Sequence, residues 1–300
     1  MCRQLAIIPN QMSKGDILDM LIELQGGKKN SDGFGFGYVL DGKFIYNKTH
    51  LSLEELLRKK NKNKFFGDCF NHNSWVLFHV RAASRGGICA ANSHPHEVGN
   101  WLVVHNGTGK DAELIKACFG NGVKYHSQTD TEVYGQLISK IGPKRFSNIV
   151  EDAGVFLALE RNGDLWAIKT SAAGDLAIAL IDKEKEDKSK VFLISELNYK
   201  SEFRYEEVDE GWIRFDKTGA YIKHKEKTAT IYNQTESYWN GYKTVKCRKI
   251  NTNSSDKKKL PSIYNIKKET IVARPARLDV KPFSSTRNFD SMSYYGGRIE

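Results

Sequence analysis

Apolar residues over the first 220 positions fall into two periods. Short alternating or continuous apolar runs predict strands at Arg3–Ile8, Trp75–Val80, Trp101–Val104, Val155–Glu160 and Leu165–Thr170, the last two joined by a turn at Asn162-Gly163. A further β-rich run follows at Leu176–Ile181, Val191–Ser195, Trp212–Phe215 and Ala220–Lys223. Helical spacing appears in Gly15–Leu24, through Ile17, Leu18, Leu21, Ile22 and Leu24, and in Thr129–Ile141, through Val133, Leu137, Ile138 and Ile141. Leu51–Lys60 reads as a third helix, with Ser52 as N-cap and Glu54 and Glu55 placed to favour its first turn. Gly33–Tyr46 reads as a hairpin turning at Asp41-Gly42. The charged run Asp182–Lys190 fits an exposed turn between two strands.

Neither period is sustained after residue 225. Lysine clusters at 257–259 and 267–268 sit among Ser, Asn, Thr and Pro, yet the segment keeps Tyr238, Trp239, Tyr242, Tyr264, Phe283, Tyr294 and Tyr295. A merely solvating linker is poor in aromatics. The expectation is therefore a folded domain over 1–225 and, over 226–300, an extended, largely irregular arm that orders on a protein partner.

Charge sharpens this division. The 300 residues carry 46 Lys and Arg against 36 Asp and Glu, a net +10. Residues 1–220 hold 29 of each sign, whereas residues 221–300 hold 17 basic against 7 acidic groups. The surplus therefore lies after residue 220, most of it in the arm, where Lys and Arg could neutralise phosphates and aromatics could stack on bases. Nucleic-acid binding is one reading of it; an electrostatically adhesive, solvated tail is the plainer one. No run of about 18 apolar residues is present, so no membrane span is expected. No basic stretch followed by an apolar core opens the chain, and a cytoplasmic location is expected. The five cysteines, Cys2, Cys69, Cys89, Cys118 and Cys247, lack paired metal-type spacing and read as reduced thiols.

Candidate chemistry begins at Cys2. Methionine ahead of a small residue is normally trimmed, which would leave a thiol and an α-amine on one residue. With a reference pKa of about 7.7–8, such an amine can accept the thiol proton near neutrality. Three further segments bear on it. His79-Val80-Arg81-Ala82-Ala83-Ser84-Arg85-Gly86-Gly87 follows an apolar strand. Asn92-Ser93-His94-Pro95-His96 precedes a strand that ends in His105-Asn106-Gly107. Ser127-Gln128-Thr129-Asp130-Thr131-Glu132 opens a helix. With Cys2 and the stretch Asp32-Gly33-Phe34-Gly35-Phe36-Gly37, their order and spacing resemble the class II, N-terminal nucleophile (Ntn) glutamine amidotransferases of the stand-alone type.

The resemblance covers about residues 2–220. It implies an α+β fold, a four-layer αββα Ntn-hydrolase sandwich of two antiparallel sheets with helices outside. It also implies a glutaminase reaction: Cys2 attacks the side-chain amide of glutamine or another γ-glutamyl amide, and ammonia or an amine leaves. A thioester remains for water to hydrolyse to glutamate. The Asn106 side-chain amide and the Gly107 N–H would hold the oxyanion. Arg81 would meet the substrate α-carboxylate and Asp130 the α-ammonium, with Ser84 and His94 lining the same pocket. His79 and His105 fit better as hydrogen-bonded groups at strand ends than as acid or base.

Departures from the family are Arg3 in place of Gly, Ala82 in place of an aromatic, Ser84 in place of Thr and Arg85 in place of His. They bear on which γ-glutamyl substrate fits. The His94–His96 element is accounted for by the resemblance, so no metal is expected, and no phosphate-binding glycine loop or other cofactor is indicated. With only a basic arm following the domain, an ammonia-accepting synthase would act in trans. A second reading of another class is a structural or interaction protein, for example a phage virion or complex component, that keeps the scaffold and binds partners through its arm.

Overall fold

The computed structural model describes residues 2–170, 176–180, 191–195, 204–226, 230–239 and 242–251. Its strands are β1 (Arg3–Ile7), β2 (Phe34–Leu40), β3 (Lys43–Thr49), β4 (Val76–Val80), β5 (His96–Val98), β6 (Trp101–Asn106), β7 (Val155–Glu160) and β8 (Leu165–Lys169). They continue with β9 (Ala177–Leu180), β10 (Val191–Ile194), β11 (Arg204–Glu207), β12 (Gly211–Phe215), β13 (Tyr221–Glu226), β14 (Thr230–Trp239) and β15 (Tyr242–Asn251). Helices are α1 (Lys14–Gln25), α2 (Leu53–Leu57), α3 (Lys62–Phe66), α4 (Ala112–Phe119), α5 (Asp130–Ile141) and α6 (Pro143–Ile149).

Two antiparallel sheets form the body, a seven-stranded one in the order β11-β9-β10-β1-β4-β2-β3 and a six-stranded one in the order β13-β12-β8-β7-β6-β5. Side-chain alternation along each strand sorts the core into three layers of contact. Leu5 and Ile7 of β1, with Phe78 of β4, face Ile17, Met20 and Leu21 of α1. Their neighbours Ala6 and Leu77 point the other way and meet Leu102 and Val104 of β6 and Leu157 of β7. On the far face of the second sheet, Val103, Phe156 and Trp212 pack on Val133, Tyr134 and Ile138 of α5 and Phe146 of α6. Helices, sheet, sheet and helices therefore stack in that order, each apolar face covered by the next layer. Burying each of these large side chains contributes about 1.5–3 kcal/mol.

Local chemistry sets the element ends. Ser13 caps α1 by accepting the Asp16 N–H at 3.1 Å, and Gly26 closes the helix in the left-handed region at φ 59°. Ser52 and Glu55 cap α2 reciprocally. Asp41 and Gly42, at φ 50° and 71°, make the β2–β3 turn with two positive dihedrals, which follows the right-handed twist of its strands. The helix expected over Leu51–Lys60 is shorter than the sequence pattern suggests. The charged run 182–190 lies outside the described residues, although the strands on either side of it, β9 and β10, pair antiparallel.

Part of the arm carries regular structure. Within the arm expected to be largely irregular, β14 and β15 pair antiparallel, with Trp239 opposite Tyr242. Between those two residues the sequence reads Asn240-Gly241, a strong two-residue hairpin signal that the density of lysines obscures. Residues 252–300 lie outside the described residues. Among the described residues no helix is long and apolar enough to cross a membrane.

Candidate active site

β1 lies inside the first sheet, between β10 and β4, so Cys2 is delivered to the end of a strand fixed on both sides. Arg3 pairs with Val80, which sets Cys2 beside the chain leaving β4. The Ala82 N–H donates to Cys2 Sγ at 3.4 Å, and the thiol reaches the Ala82 carbonyl oxygen at 3.3 Å. Cys2 is 9% exposed. Burial pushes its pKa up, while the Ala82 N–H and the Arg81 charge pull it down.

Cys2 opens onto a small pocket whose wall also includes Arg81, Ser84, His94, Gly107 and Asp130. Six of the seven residues singled out from the sequence thus meet in one place. The seventh, Asn106, is buried at the end of β6 beside Gly107, and its Oδ1 has no hydrogen-bond partner among the described residues. Gly107 is required by close approach: a Cβ there would press on the Ala153 carbonyl oxygen and lie 2.8 Å from His105 Nε2. Asp130 begins α5, where the helix N-terminus favours a negative charge, and its Oδ2 accepts the Gly109 N–H at 2.9 Å.

Arg81 is only 2% exposed, and its fork is turned onto the following loop. Nη2 donates to the carbonyls of Arg85 at 2.9 Å and Gly86 at 3.4 Å, and Nη1 to that of Gly87 at 3.2 Å. Asp32 braces the start of this loop, with its N–H donating to Arg81 O at 2.9 Å and its Oδ2 accepting the Ala83 N–H at 2.8 Å. Ser84, exposed on the loop, pairs with the Thr108 hydroxyl at 3.2 Å, next to Gly107.

Behind the pocket His79 and His105 are hydrogen-bonded, as expected, but the threonines that join the histidines were not anticipated. Thr129 and Thr131 line the pocket together with Ala82, Arg85 and His105. Thr131 Oγ1 lies 2.8 Å from His94 Nε2 and 3.2 Å from His105 Nδ1. His94 Nδ1 lies 2.7 Å from His79 Nε2, and His96 Nε2 lies 3.1 Å from Thr129 Oγ1. Burial lowers the pKa of all four histidines, that of His79 to about 3, and favours the neutral ring, with the Asp130 charge opposing the shift at His105. The pairing of Thr with Asp and His in the sequence was visible, but contacts between rings 15 to 37 positions from their partners were not. Among the described residues no group of three His, Cys, Asp or Glu is disposed to hold a metal ion.

This arrangement can be set beside known proteins. The fold is shared with glutamine phosphoribosylpyrophosphate amidotransferase from B. subtilis, at a TM-score of 0.59 and 20% identity, over 77% of this chain and 50% of that one. In sequence, the chain is similar to glutamine–fructose-6-phosphate aminotransferases. It is 34% identical to that of Francisella tularensis over 105 residues, which make up 35% of this chain and 17% of the relative. It is 31% identical to that of Aquifex aeolicus over 143 residues, 47% of this chain and 23% of the relative. A putative aminotransferase of the same description from Saccharomyces cerevisiae is 32% identical over 145 residues, 44% of this chain and 53% of that protein. The chain thus spans about a fifth of the length of the first two relatives and about half of the third. No family model matches.

Proposed function

We propose that this chain is a class II glutamine amidotransferase domain that uses Cys2 to cleave the side-chain amide of glutamine or a related γ-glutamyl amide. The observation carrying the reading is the convergence of Cys2, Arg81, Gly107 and Asp130 on one pocket from four separate segments. Similarity to proteins named as glutamine aminotransferases and amidotransferases supports it.

In this reading the α-amine of Cys2, exposed by removal of Met1, takes the thiol proton, and the thiolate attacks the amide carbon. The developing oxyanion is met by the Gly107 N–H and the Asn106 side-chain amide, fixed donors that need little reorganisation. The proton passes to the departing nitrogen, ammonia leaves, and a glutamyl thioester stays on Cys2 until water releases glutamate. Asp130 pairs with the α-ammonium, and Arg81 meets the α-carboxylate through N–H groups beyond those held by the loop. Ammonia then goes to an acceptor on a synthase. The basic 226–300 segment is a site for a protein partner, separate from this chemistry.

The test is glutamate release from glutamine by the wild-type chain and by Cys2→Ala, with intact mass reporting whether Met1 has been removed. Glutamate release abolished in Cys2→Ala, with circular dichroism unchanged, is the expected result. Hydrolysis at the wild-type rate in that variant refutes the reading.

A further inference from the structure

The hydrogen-bond partners of the four buried histidines fix where each proton sits. A carbonyl oxygen only accepts, and His105 Nε2 lies 2.6 Å from Ala153 O, so Nε2 carries the hydrogen. The neutral ring then offers a bare Nδ1 to Thr131 Oγ1, and the hydroxyl donates to it. That hydroxyl is left to accept from His94 Nε2, which makes His94 Nδ1 the bare nitrogen and His79 Nε2 its donor. The other end of the chain gives the same assignment, because His79 Nε2 also faces the His105 carbonyl oxygen at 3.1 Å. A second chain runs alongside. Ser127 Oγ donates to the Glu132 carboxylate at 2.7 Å and accepts from Thr129 Oγ1 at 3.0 Å, so Thr129 accepts from His96 Nε2.

We propose that these two one-way chains, His79→His94→Thr131→His105→Ala153 and His96→Thr129→Ser127→Glu132, hold the pocket in register, with Thr131 as the principal positioning residue. Their members are spliced into the segments that carry the candidate groups other than Cys2. His79 stands two residues before Arg81, Thr131 directly after Asp130, and His105 directly before Asn106, while His94 is itself on the pocket wall. A reversed ring anywhere in the series would oppose two lone pairs or two N–H groups in a buried layer, which is costly. The segments therefore fit together in one arrangement. The geometry around Thr131 also tells against a charged His105: a proton on Nδ1 would oppose the hydroxyl proton, and the Asp130 oxygen facing that nitrogen is farther away, at 3.8 Å.

The positioning role rests on the glutaminase reading; the proton order does not. Nitrogen-15 NMR of the full chain labelled at histidine tests the order directly. At neutral pH, His79, His94, His96 and His105 should all show a protonated Nε2 and an unprotonated Nδ1. An Nδ1–H tautomer at any of them, or a doubly protonated His105, overturns the chains whatever the activity. Thr131→Val and Thr131→Ser test the role. The valine variant removes the hydroxyl at equal volume and should lower kcat/KM for glutamate release by about tenfold or more, while changing the His94 and His105 nitrogen shifts. The serine variant should restore both. Wild-type kcat/KM in Thr131→Val overturns the positioning role. If that variant does not fold, the serine variant and the wild-type spectra still decide. A wild-type chain that releases no glutamate refutes the glutaminase reading, and the spectra alone then judge the proton order.

Discussion

Gly107→Ala is the perturbation whose cost can be worked most directly from the structure. The new methyl would press on the Ala153 carbonyl oxygen and lie 2.8 Å from His105 Nε2 and 2.9 Å from the Gly154 Cα. None of these can yield cheaply. Two are backbone, and the third is a buried ring held at 2.6 Å to Ala153 O and stacked on Phe156 at a centroid distance of 4.1 Å. Reaching ordinary contact with the ring requires the 107 backbone to retreat by about 0.6 Å or more. Overpacking of this kind costs about 1–3 kcal/mol of stability. The same retreat moves the Gly107 N–H off the oxyanion position, and loss of one such donor lowers kcat by about 10²–10³-fold. Urea denaturation and steady-state glutamate release measure the two effects. Gly122→Ala, where a Cβ meets nothing within 4 Å, should change neither and serves as the control. A Gly107→Ala protein with the wild-type kcat would show that the turn does not carry an oxyanion donor.

Other expectations follow from the same contacts. Arg81→Lys keeps the charge but cannot span the carbonyls of residues 85–87, so KM for glutamine should rise by about tenfold or more, and an unchanged KM would remove Arg81 from substrate binding. Thr170→Val strands the N–H groups of Ala153 and Gly154, bonded to the Thr170 hydroxyl at 3.2 and 3.1 Å; it should lower stability by about 1–3 kcal/mol, read as a reduced urea midpoint at constant slope. Stability should also depend on pH through the buried histidines. Their folded pKa values lie below the ordinary 6.5, so the unfolded chain binds more protons; stability is full above pH 6.5 and falls below it. Each such ring contributes up to about 1.4 kcal/mol per pH unit between 6.5 and its folded pKa, and equal urea midpoints at pH 7.5 and 5.5 would contradict it.

The strands and main helices were legible because burial marks the sequence: β1 and β4, covered on both faces, read as continuous apolar runs, and α5, packed along one side, keeps the helical period. α4 was not: it is only eight residues long, and Leu114, exposed on it, interrupts the stripe of Ala112 and Ile115 that packs on the core. β5 is too short to show a period, and the β14–β15 hairpin was masked by its lysines despite Asn240-Gly241. For the site, the sequence supplied the residue types, and six of the seven line one pocket. It could not show that Arg81 grips its own loop or that Thr131 sits between two rings. Both depend on backbone carbonyls and on segments brought together only by the stacking of two sheets.

The placement of β1 also bears on the order of assembly. Leu5 pairs with Ile194, and the Gln4 N–H donates to the Ser195 hydroxyl at 2.8 Å. The strand that fixes Cys2 is thus flanked on one side by a segment almost two hundred residues later in synthesis. Closing so large a loop is slow and comes late. Until the ribosome has passed that point, β1 lacks a neighbour on that edge, although β4, which sets the thiol beside Ala82, is already made. Truncated or partly made chains would carry the nucleophile on a strand paired from one side only, so the firmness with which Cys2 is held is tied to completion of the sheet.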